Sequence, residues 1–155
     1  MNRALLLAAL VLTGCLATFP ENGDVYADPR LSPAIRADIK KGMGDWCAAT
    51  RGGHCAVVVV GRGRYEFRLG ELDHDNAGTK RRLFAVTVTL DLAAIPPSKR
   101  LTTIKHEIGH ALGLHHVSYG LMRGVDTGGP WKRKVSSGCI DQRTLARVLA
   151  AQGTA

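Results

Sequence analysis

The chain has 155 residues, 45% of them apolar and 22% charged, with six prolines and no long low-complexity linker, which fits one compact domain. Its formal net charge of +8 comes from basic residues spread along the chain (Arg62, Arg64, Arg68, Lys80, Arg81, Arg82, Lys99, Arg100, Lys132, Arg133, Lys134). That pattern describes a solvated basic surface suited to anionic lipid, polysaccharide or acidic substrates. With no basic motif interleaved with aromatics, it excludes nucleic acid as the expected partner.

In chain order, Met1 to Gly14 opens on Arg3 and runs apolar from Ala4 to Leu12. This is too short to span a bilayer and right for an export signal. Its end, Leu12-Thr13-Gly14-Cys15, resembles the lipobox of bacterial lipoproteins. The resemblance implies cleavage before Cys15 and acylation of that residue, which would anchor the protein to a bacterial membrane at the cell envelope. In a Gram-negative cell that means the outer membrane or cell surface. Cleavage by the ordinary signal peptidase, giving a secreted protein, is the alternative. Residues 15–31, with Pro20, Asn22, Gly23, Asp24, Asp28 and Pro29, read as a tether that lifts a domain spanning 32–155 off the membrane.

Ser32-Pro33 is a helix start, Ser as N-cap and Pro at the first position. Ile35, Ile39, Met43 and Trp46 follow at helical spacing, predicting an amphipathic helix from Ser32 to Ala49 with Trp46 in the core. Ala56 to Val60 and Arg64 to Leu69 read as two neighbouring strands joined through Gly61 to Gly63. Export permits disulfides. Cys47 and Cys55, eight positions apart across Arg51-Gly52-Gly53, are the preferred pair, leaving Cys139 as a thiol. His54 has no partner pattern and reads as a surface histidine. Glu71 to Gly78 reads as a polar loop. Leu83 to Leu92 alternates apolar and polar side chains and is the clearest strand. Ile95-Pro96-Pro97-Ser98 then ends it and caps the next helix.

That helix carries the chemistry. In Thr103 to Met122, His106 and His110 lie one turn apart at about 100° per residue, with Leu101, Ile104, Ile108, Ala111 and Leu112 on roughly the opposite side. Gly113 can end the helix in a left-handed conformation, and the chain can then return His116 as a third ligand. Three imidazoles suit Zn²⁺, and a fourth position left to water marks a catalytic site. Glu107, beside His106, is free to act on that water.

The spacing His-Glu-x-x-His-x-x-Gly-x-x-His resembles the metzincin zinc metallopeptidases, with Met122 where their Met-turn stands. The run Gly109-His110-Ala111-Leu112-Gly113-Leu114 leans toward the matrixins. Arg123-Gly124 stand where matrixins place a proline, so the subfamily stays open. The resemblance implies an α+β fold: a mixed twisted sheet with an N-terminal helix, the zinc-binding helix, the Met-turn and a C-terminal helix, here Asp141 to Ala151. It further implies a primary specificity pocket walled by Arg123 to Trp131. An antiparallel sheet edge would take the substrate backbone as an added strand. The implied activity is zinc-dependent endopeptidase cleavage of protein or peptide substrates by a monomer. His106, His110 and His116 would hold one catalytic zinc, Glu107 would act as general base and acid, and Met122 would form the floor below the metal. Matrixins also carry structural Ca²⁺ or a second zinc in loops like Glu71 to Gly78, but few ligands and no fixed spacing are present there. An envelope-anchored zinc-containing binding module without peptidase activity is the competing reading.

Overall fold

The computed structural model describes residues 17–73, 75–116 and 121–122. Signal residues 1–14, Cys15, Cys139, the stretch 123–131 and the expected helix 141–151 lie outside the described residues.

The architecture is α+β: a five-stranded mixed sheet carrying two helices. Strands β1 (Asp24–Ala27), β2 (Val57–Val60), β3 (Tyr65–Leu69), β4 (Ala77–Arg81) and β5 (Val86–Leu90) stand in the order β2-β1-β3-β5-β4. All neighbours are parallel except β4, which runs antiparallel to β5 at one edge. Val86, Val88 and Leu90 of β5 point to the covered face and are fully buried beside Phe67, Val25 and Ala27. Thr87 and Thr89 take the other face, as period-two alternation requires.

Helix α1 (Pro33–Ala49) starts at Ser32, whose hydroxyl accepts from Ile35 N at 3.3 Å, and buries Ile35, Ile39, Met43 and Trp46 along one stripe. Its end is sealed by Thr50, whose hydroxyl donates to Trp46 O at 2.8 Å and accepts from His54 N at 3.1 Å. A Cys47–Cys55 disulfide fastens this end to the approach to β2. His54 is therefore not the surface residue its isolation suggested. It is 4% exposed, and burial pushes its imidazole pKa down against the opposing charge of Glu21.

Four other expectations change. Residues 17–31 are no tether: Phe19, Val25, Ala27 and Leu31 are buried, and β1 is an inner strand, hydrogen-bonded on both sides. Its polar surroundings hid the two small apolar residues, Val25 and Ala27, that reach the core from β1. Strands β2 and β3 are not neighbours, because β1 lies between them. Their short connection crosses the end of β1, where Gly61 N donates to Ala27 O at 2.9 Å, and a side chain at Gly63 would strike the Tyr26 ring. So short a parallel crossover is possible because β3 pairs with only Tyr26 and Ala27 of β1. Buried Asp28 locks the crossing: Arg30 Nη2 lies 2.7 Å and Arg62 Nη2 3.1 Å from its Oδ2. The Arg30 hydrogen bonds, against the cost of burial, hold this carboxyl well below the usual range.

The third change is at the far edge. Leu83 to Leu92 is strand only over Val86–Leu90, and the preceding residues form a turn closed by Arg82 N donating to Ala85 O at 2.8 Å. The turn returns to β4, an edge strand in what read as loop and unassigned chain. Ser98 does not cap the next helix. A 3-10 turn over Pro97–Lys99 leads into α2 (Arg100–Ala111), whose N-cap, Lys99, makes no side-chain cap bond.

Candidate metal centre

Helix α2 divides its surface between packing and chemistry. Ile104, Ile108 and Ala111 are fully buried. Trp46 Nε1 donates to Lys105 O at 3.0 Å, Lys105 Nζ meets Asp45 Oδ2 at 2.5 Å, and Gly42 lets α1 approach Ile104 and Ile108 closely. Gripped from that side, α2 presents His106 and His110 on the other. Gly113, at φ +96°, then stops the helix. Leu114 N donates back to Gly109 O at 3.0 Å, and the reversed chain brings round His116.

The three imidazoles meet through their Nε2 atoms, 3.0 Å apart for His106 and His110, 2.9 Å for His110 and His116, and 3.2 Å for His106 and His116. The contact between His106 and His110 is not a hydrogen bond. His106 Nδ1 lies 2.6 Å from Leu121 O and His110 Nδ1 lies 2.8 Å from Leu114 O. A carbonyl only accepts, so each Nδ1 carries the proton and each Nε2 presents a lone pair. Burial, opposed by those carbonyl bonds, lowers both pKa values and favours the neutral rings. Lone pairs this close repel unless a cation lies between them. Around a tetrahedral ion with nitrogens at 2.0–2.1 Å, ligand atoms stand about 3.3–3.4 Å apart, close to the spacing here. The carbonyls of Leu114 and Leu121 fix tautomer and ring orientation, as partners behind metal-bound histidines do. Among the described residues this is the one group of His, Cys, Asp or Glu placed to hold a metal ion.

Glu107 follows His106 in the chain but turns inward, only 6% exposed. Burial raises its pKa, while the Thr79 hydroxyl, donating to Oε2 at 2.7 Å, and the charges of His110 and His116 pull it down. Thr79 was not anticipated. It lies on β4 opposite Val88, on the covered face, and its hydroxyl also reaches Glu107 O at 3.1 Å. The available signal was the alternation Ala77, Thr79, Arg81, obscured by Gly78 and Lys80 between them.

Met122, 1% exposed, sits against Gly109, where any Cβ would collide with its sulfur. Because Gly109 lies on α2 between the two helix histidines, the methionine supports that stretch from below. The neighbouring Leu121 supplies the carbonyl that orients His106. The site therefore gathers His106, His110, His116, Glu107 and Met122, while Cys47 and Cys55 are joined to each other as a disulfide. A scan against protein-family models finds no match for this chain, and a search of curated proteins finds no relative.

Proposed function

We propose that the chain is a zinc-dependent endopeptidase of metzincin type, held at the cell envelope through Cys15 and cleaving proteins there or outside the cell. The observation that carries this reading is the convergence of three histidine Nε2 atoms, two of them fixed as acceptors by carbonyls behind their rings, beside a buried carboxylate that is not part of the ligand set. His106, His110 and His116 would hold the ion. Neutral imidazoles suit zinc, which when bound would supply Lewis acidity toward water and a scissile carbonyl.

The remaining chemistry belongs to the chain. Glu107 takes a proton from the attacking water and delivers it to the leaving amine, a double use of one carboxylate. Thr79 holds Oε2 and so leaves Oε1 to face the reaction. Among the described residues the edge strand β4 pairs in the sheet with β5 alone and lies against α2, so an extended peptide adding to it would run past the histidines. Met122 and Gly109 keep the helix floor fixed while the substrate changes.

The test uses the purified chain, a mixed peptide library and chelator. Wild type should cleave, chelator should stop it, and Glu107→Gln should retain its metal while losing about 10²–10⁴-fold or more in rate. A Glu107→Gln variant as fast as wild type, or a wild type that cleaves no peptide, replaces this reading with the binding module.

A further inference from the structure

The N-terminal segment enters the fold at a definite place. Ala17 N donates to Arg82 O at 2.7 Å, Ala17 O accepts from Arg81 Nε at 2.8 Å, and Phe19 N donates to Ala111 O at 2.9 Å. Phe19 itself is buried against Phe67 and Tyr65. Residues 17–19 are thus clamped between the β4–β5 hairpin and the end of α2. Cys15 is two residues before Ala17, and covalent geometry alone keeps their Cα atoms within about 7 Å. An acyl anchor on Cys15 therefore has almost no slack, and the part of the domain beside the clamp must lie near the bilayer surface.

That part is the hairpin tip. It carries Phe84, 70% exposed, and Leu83, 53% exposed, beside exposed Lys80 and Arg82. Paired large apolar side chains flanked by cations suit a membrane interface, where the rings enter the headgroup boundary and long basic stems keep their charge among anionic phosphates.

We propose that the Leu83–Phe84 tip inserts into the interface of the same bilayer that holds Cys15, with Lys80 and Arg82 on anionic headgroups. The proposal rests on the acylation of Cys15 contained in the functional reading above. It makes the hairpin a second membrane contact that fixes the orientation of the domain.

The experiment uses full-length Phe84→Trp, produced in a bacterium that processes lipoproteins and reconstituted into phosphatidylcholine vesicles with a minority of phosphatidylglycerol, with and without acyl-chain bromination. Mass spectrometry of the N-terminal peptide reports the state of Cys15. The added fluorescence, taken as the difference from wild type, should shift to shorter wavelength. Roughly half of it should be quenched by the brominated lipid, as for a side chain seated within the ~5–10 Å reached by interfacial residues. Acylated protein whose added fluorescence is unshifted and unquenched overturns the membrane contact and leaves the anchor standing. A peptide without acyl groups overturns the anchor, and the proposal with it.

Discussion

Helices α1 and α2 lie side by side and are built to opposite ends. All the buried side chains of α1 are apolar, and its main link outward is Trp46, which fills the inter-helix space and donates to a backbone carbonyl of α2. α2 is shorter, buries the carboxylate Glu107 along with Ile104 and Ile108, and lends two histidines to a lone-pair cluster. A helix carrying a buried charge and converging imidazoles stores unfavourable terms that its own packing does not offset. The contrast sets a helix of apolar packing beside one that carries the candidate metal centre, so the two helices should respond differently to substitution.

The strongest way to break the comparison is Trp46→Ala. Removing a fully buried indole from the α1 side should destabilise the fold by about 3–5 kcal/mol, seen as a large drop in the urea midpoint. The folded fraction should still bind metal, because no ligand is touched. If Trp46→Ala leaves the midpoint unchanged, α1 is not the support described.

Thr79→Val sharpens the comparison from the other side. The isosteric change leaves the apolar packing in place but takes from Glu107 a hydrogen bond worth about 1.5–3 kcal/mol to a charged acceptor. Peptide cleavage should fall by roughly 10–100-fold, and the urea midpoint should drop by less than for Trp46→Ala, since a buried acceptor left without its donor costs about 1–3 kcal/mol. A variant with wild-type rates would remove Thr79 from the site.

A smaller effect should come from the ionic link between the helices. Burial acts to raise the Asp45 pKa, yet hydrogen bonds and charge from Lys105 and Lys41 hold it below its ordinary value. A depressed folded pKa contributes stability above the unfolded value near ~3.9, and that contribution is lost as the pH falls through the folded value. Asp45→Asn should therefore cost about 1 kcal/mol or less at neutral pH. The gap from wild type should close in acid, and a gap that widens there would contradict the assignment.

The same contrast explains what was readable in the sequence. Helix positions announce themselves locally: Ser32-Pro33 and the spacing of Ile35, Ile39, Met43 and Trp46 define α1, and four-residue spacing places His106 and His110 on one face of α2. Gly113 marks the reversal because few other residues tolerate its positive φ. The cysteine pair was legible because its loop is short. What escaped is set by distant partners. β4, with Gly78, Lys80 and Arg81, is a strand because β5 offers it a ladder, and β1 is central because β2 and β3 both pair with it. Leu83 and Phe84 continue the alternation of β5 in sequence, yet they turn outward at the hairpin. The Leu114 and Leu121 carbonyls behind the histidines are backbone groups, and side-chain patterns carry no trace of them.

The account turns on the cation proposed between the Nε2 atoms of His106, His110 and His116. Its most direct test is elemental analysis of chain purified without added metal, together with zinc-edge X-ray absorption. Wild type should hold one zinc per chain with three nitrogen neighbours at about 2.0–2.1 Å, and His110→Ala should lose it. Wild-type protein carrying no more zinc than His110→Ala would contradict the metal centre and every catalytic step assigned to the residues around it.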